Sequence, residues 1–198
     1  MKKLTILLTA VLFSATAAFS QPVSDSGVIP VGVTLNSILR LNITSGGNLE
    51  YVVNTIDQYT NGIAQNARYD THFTVASSVD FDVTLGADAA TFIGVDDAAH
   101  TIPLDNLGYL VVADAGATGA DGINWDLPGA VLPITAATPF IVQGNYAGLG
   151  AGDINQNAFV IQWRLGTGEG TMNGTSLLQQ SITSDRYVVN AIVQLSQH

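Results

Sequence analysis

Beyond residue 28 the apolar side chains of this chain recur at every second position, in short runs broken by Gly, Asn, Asp and Ser. Nowhere do they hold the three-to-four spacing of a long amphipathic helix. A period of two sends alternate side chains to opposite faces of an extended backbone, so such a chain has to build sheets. Phe81, Val83 and Leu85, separated by Asp82 and Thr84, display the pattern most cleanly: one face apolar, the other facing water. Strands are predicted over residues 28–35, 38–44, 49–56, 72–76, 79–85, 107–113, 140–144, 159–165 and 187–195. About nine strands in one chain predict an all-β fold, an antiparallel two-sheet sandwich. The run Ser45, Gly46, Gly47, Asn48 has tight-turn composition and predicts that 38–44 and 49–56 are neighbouring strands. Residues 86–129, with their Ala and Asp runs and the glycine-rich stretch 114–122, read as long surface connections. Only residues 176–181 read as a short helix.

Ahead of this region stands a different kind of sequence. Lys2 and Lys3 precede an apolar run over residues 4–13 and a small-residue run over 14–18, the order of a secretory signal peptide. The apolar run is too short to span a bilayer. Cleavage after Ser20 is expected, with Ala17 as the alternative site, leaving a single domain over residues 21–198. The expected location is secreted, extracellular or at the cell surface of a bacterium, with the periplasm as the nearer alternative. There is no Cys in the chain, so neither disulfides nor lipidation at cysteine contributes. A sandwich of this length buries roughly 70% of its unfolded surface and can stand on core packing alone.

Both lysines fall in the signal peptide, which leaves four arginines against sixteen acidic side chains, hence a formal charge of −12 for residues 21–198. That balance excludes nucleic acid as a partner and disfavours anionic membrane surfaces; no membrane span is expected. Its simplest role is solubility.

Catalytic chemistry is hard to assemble from these residues, and no enzyme, cofactor or metal site is expected. There is no thiol, no Gly-x-Ser-x-Gly string, and only three histidines. His198 is terminal and expected to fray, while His72 and His100 belong to no metal-ligand spacing. Asp153, Asn155 and Asn157 begin like a calcium loop, but Ala158 stands where its glycine belongs and Arg164 where its bidentate acid belongs. Asp114, Asp121 and Asp126 offer carboxylates that one loop could gather. Trp125, Trp163 and the tyrosines could line a sugar-binding face, with Trp163 expected in the core.

The two ends of the mature chain suggest a different activity. Ile29, Val31, Val33 and Leu35 alternate with Pro30, Gly32 and Thr34, a slim strand that can pair within its own sandwich or complete a neighbour by strand addition. Tyr187, Val189, Ala191, Val193 and Leu195 on one face, with Val188 and Ile192 on the other, make the last strand apolar on both sides, as a central or exchanged strand is. The strand-exchange interface is therefore placed at Ile29, Val31, Val33 and Leu35, within a donor segment 21–35, and at Tyr187, Val189, Ala191 and Val193.

Leu39, Arg40, Leu41 leading to Thr44, Ser45, Gly46, Gly47, then residues 73–78 leading to Phe81, Asp82, Val83, and the terminal strand over 187–197 together resemble uncharacterised immunoglobulin-like and pilin-like surface β-sandwich proteins of Bacteroidota. The resemblance implies a surface or filament role and supplies no catalytic residues. The expected function is that of a structural subunit of an extracellular filament or surface layer, a homo-oligomer or polymer formed by strand addition. The alternative is a monomeric carbohydrate-binding or adhesive module with a glycan ligand.

Overall fold

The computed structural model describes residues 29–115, 117, 125–144 and 151–198. The signal peptide, its cleavage site, residues 21–28 of the donor segment and Asp121 lie outside the described residues. The chain divides into two units, residues 1–35 and 36–198.

In the first unit, residues 29–35 carry no strand pairing, contrary to the strand expected over 28–35. Ile29, Val31, Val33 and Leu35 are 83, 83, 79 and 90% exposed. Alternation gives this segment an apolar face, but a strand also needs a hydrogen-bonded neighbour, and among the described residues it has none.

The second unit is the antiparallel β-sandwich. Its larger sheet is formed by β1 (Leu39–Ser45), β2 (Asp70–Ser77), β10 (Ala158–Leu165), β6 (Leu107–Ala113) and β8 (Leu132–Pro133), in that spatial order. The facing sheet has the order β12 (Ala191–Gln197), β3 (Phe81–Ala87), β9 (Phe140–Gly144) and β7 (Trp125–Asp126). A three-stranded ribbon, β11 (Tyr187–Val188), β4 (Thr91–Gly94) and β5 (Thr101–Pro103), completes the fold. Phe73 and Val75 of β2, Tyr109 and Val111 of β6, and Phe159, Ile161 and Trp163 of β10 meet Phe81, Val83 and Leu85 of β3 in one core. Phe159 stacks on Phe73 at 5.1 Å and takes Phe81 edge-on at 6.5 Å, so aromatic contacts join the two sheets. Trp163 donates its indole N–H to the Thr71 hydroxyl at 3.0 Å, which satisfies the polar atom of a side chain only 2% exposed.

Several expectations change. The hairpin between 38–44 and 49–56 does not form; β1 pairs with β2 instead, Leu39 opposite Ser77. Gly46 is the reason. It sits at φ +69°, a Cβ there would collide with the Asp70 carbonyl, and its own carbonyl accepts the Thr71 hydroxyl at 2.7 Å. The chain is thus carried on past the start of β2 rather than reversed. Residues 49–56 form no strand, and from Ile56 they enter α1 (Ile56–Asn61), where Thr55 and Gln58 make a capping box. The helix expected at 176–181 is only a turn, closed by Gln179 N–H to the Ser176 carbonyl at 3.0 Å.

The connection 86–129 contains β4 and β5, too short and too rich in Gly and Asp nearby to announce themselves. The face of β3 expected to be wet is covered: Asp82 is buried, accepts the Gly144 N–H at 3.1 Å and lies 2.8 Å from His198 Nδ1. His198 therefore does not fray; its N–H also donates to the Asp80 carbonyl at 3.1 Å. The last strand is neither continuous nor central. It breaks at Asn190, whose backbone and side-chain N–H groups are held by Asp88 at 3.0 and 2.6 Å, and β12 then lies at the edge of its sheet.

Candidate functional site

The break at Asn190 and the detour at Gly46 create the same feature from two sides. After Gly47 the chain runs with alternating burial, Leu49, Tyr51 and Val53 half-buried and Asn48, Glu50 and Val52 exposed. This is strand geometry by side-chain pattern. Yet among the described residues no hydrogen bond reaches a main-chain N–H or C=O of residues 48–53. Opposite stands the segment 182–193, which enters β11, bends, and continues into β12. Between the two walls lies a cleft of about 650 Å³. Its floor is the core itself, including Phe92, Leu107, Ile161 and Trp163.

Tyr51 is the largest side chain of the first wall. It stacks on Tyr69 at 4.2 Å, and its hydroxyl is buried without a hydrogen-bond partner. Burial pushes the Tyr51 phenol well above its ordinary range, which keeps this side chain neutral. On the second wall the Tyr187 hydroxyl donates to the Thr183 carbonyl at 2.6 Å. Asp185 anchors that wall: its carboxylate accepts from the N–H groups of Asp96 at 3.0 Å, Asp97 at 3.2 Å and Arg186, and lies 2.9 Å from His100 Nδ1. These donors, the Asp96 N–H first, hold the Asp185 carboxyl well below the usual carboxylate range. Across the mouth, the exposed side chains of Glu50 and Arg186 approach to 3.6 Å.

Tyr187, Val189, Ala191 and Val193 all line this cleft. Ile29, Val31, Val33 and Leu35 belong to the other unit of the chain. Sequence reasoning missed residues 48–53 as an open wall. Their alternation was visible, but the missing neighbour is a property of where Gly46 sends the chain, and no local pattern reports it.

The remaining candidates are absorbed by the fold. His72 Nδ1 lies 3.0 Å from Asp114, whose carboxyl that contact draws below its ordinary range. Asp153 accepts the N–H groups of Asn155 and Gln156 at 2.8 and 3.1 Å, an Asx turn leading into β10. Among the described residues no group of three or more His, Asp or Glu side chains is arranged to hold a metal ion, and no helix is long and apolar enough to cross a membrane. Arg164 is buried and paired with Glu169. Trp125 is packed edge-on against Phe159 at 4.8 Å. A second, open depression of about 490 Å³ is lined by His100, Asn173, Gln180 and Tyr187 among others. In comparison with known proteins, no protein-family model and no curated sequence matches this chain.

Proposed function

We propose that the protein is a non-enzymatic structural subunit of an extracellular filament or surface layer, and that its subunits associate by β-strand addition. The observation that carries this reading is a mismatch: an uncharged segment, residues 29–35, leaves four large aliphatic side chains exposed on alternate positions, while a cleft open to the core lies between residues 48–53 and 182–193. Soluble chains seldom leave contiguous apolar surface uncovered unless a partner covers it. Strand addition covers a slim alternating segment efficiently, because the backbone supplies hydrogen bonds while alternate side chains fill pockets. The leader sequence, the absence of cysteine and the acidity of the chain fit a soluble building block made for export, and the resemblance to pilin-like surface sandwiches points the same way.

Removing residues 21–35 tests the reading. The processed wild-type protein is expected to form oligomers or filaments, followed by sedimentation and electron microscopy, and the shortened chain is expected to remain a folded monomer. Undiminished assembly of the shortened chain overturns the donor role, and a wild-type protein that stays monomeric at high concentration overturns the whole reading. The alternative, a carbohydrate-binding or adhesive module, draws support from the open depression beside Tyr187. It loses its favoured residue, Trp125, to core packing.

A further inference from the structure

The larger exposed edges of the sandwich, β1 and β12, are each bonded on one side only. Residues 48–53 are bonded on neither side among the described residues. An added strand gains most where the acceptor backbone is wholly unpaired, because each N–H and C=O left without a partner is a hydrogen bond waiting to be made. Resting on the strand-addition reading above, we infer that the backbone of residues 48–53 is the acceptor edge, and that residues 29–35 of a second copy pair with it and roof the cleft.

Length and charge agree. Seven donor residues extend about 23 Å and six acceptor residues about 20 Å, so one can lie along the other without overhang of more than a residue. The donor carries no charge, and the inward residues of the wall, Leu49, Tyr51 and Val53, carry none either. Burying four aliphatic side chains removes about 100 Å² each from water, about 400 Å² on the donor and about 800 Å² over both partners, which falls short of the roughly 1,000 Å² of a specific interface, so the paired backbone has to supply the rest.

Parity then restricts the register. Residues directly opposed in a ladder point to the same face. Ile29, Val31, Val33 and Leu35 enter the cleft only if they stand opposite Leu49, Tyr51 and Val53, which places Pro30, Gly32 and Thr34 opposite the outward Asn48, Glu50 and Val52. A slip by one residue turns the apolar face to water. Proline and glycine thereby fall on the outer face, where Pro30 fills no pocket; in the unassociated chain a side chain added at Gly32 meets nothing within 4 Å.

Because the chain has no cysteine, introduced thiols report this contact cleanly. The full-length protein is expressed with its own leader, carrying Gly32→Cys together with one of Glu50→Cys, Val52→Cys, Asn42→Cys on β1 or Gln194→Cys on β12, and is oxidised mildly. Disulfide-linked multimers are expected from the pairs with Glu50→Cys or Val52→Cys, at least five-fold above the pairs with Asn42→Cys and Gln194→Cys. Crosslinking confined to Asn42→Cys or Gln194→Cys keeps strand addition and overturns this acceptor. A disulfide within a monomer overturns the second copy as donor. Assembly with no crosslink at any of the four positions overturns the placement, and loss of assembly in the wild-type protein removes the strand-addition reading and this placement with it.

Discussion

β2 and residues 48–53 alternate inward and outward side chains in the same way. In β2, Thr71, Phe73, Val75 and Ser77 are buried, and the backbone is bonded to β1 on one side and β10 on the other. In residues 48–53 the inward side chains are only half-buried and the backbone is bonded to nothing described. The comparison separates two things that a strand pattern conflates. Alternation sets which side chains face the core; pairing is set by where turns and bulges deliver the neighbouring chain. A segment with the first and not the second is half a strand, and an incoming backbone can finish it.

The largest effect expected from this contrast is on stability. Phe73→Ala should cost ~3–5 kcal/mol in denaturant unfolding, because a buried ring next to Phe159 leaves a cavity. Leu49→Ala should cost about 1 kcal/mol in the monomer, being half-buried at the wall of a cleft already open. Equal costs for the two would mean that residues 48–53 are as firmly built in as β2, and would break the comparison.

Acid should act next, on the opposite wall. The Asp185 carboxyl is depressed in the folded chain, so its contribution to stability is complete above the ordinary carboxylate range and is lost as pH falls below about 4. Melting temperatures measured from pH 7 to pH 2 should fall more steeply for the wild type than for Asp185→Asn, which starts lower and stays flatter. Parallel curves would show that this anchor does not titrate with folding. The smallest effect should come from Glu50→Ala. An exposed ion pair contributes ~0.5 kcal/mol or less, so the denaturant midpoint should barely change.

The class of fold was legible because it depends on a period, and a period survives every local irregularity. Phe73, Phe81, Val83, Tyr109, Phe159 and Trp163 all come from strands visible in the sequence, and all are core. What escaped was set by single residues acting at a distance. Gly46 alone converts an apparent hairpin into a detour past β2, through a close approach to Asp70 that no nearby sequence encodes. Asp88 breaks the final strand from 102 positions away by holding Asn190. Asp82 looked solvated because its neighbours alternate, and is buried because residue 198 returns to cover it. The candidate cleft combines two such events, so half its lining is visible as an apolar terminal strand and half lies in a segment whose local pattern is that of an ordinary strand.

The order β1-β2-β10-β6-β8 has a consequence for the time at which the molecule can fold. The strand that joins β2 to β6 spans residues 158–165, behind four-fifths of the chain. Until it emerges, β1 and β2 make an isolated hairpin-like pair, and β6 has no long partner, arrangements that are marginal in water. As the chain is made from its first residue it therefore stays pliant over most of its length, and the larger sheet sets only when β10 arrives.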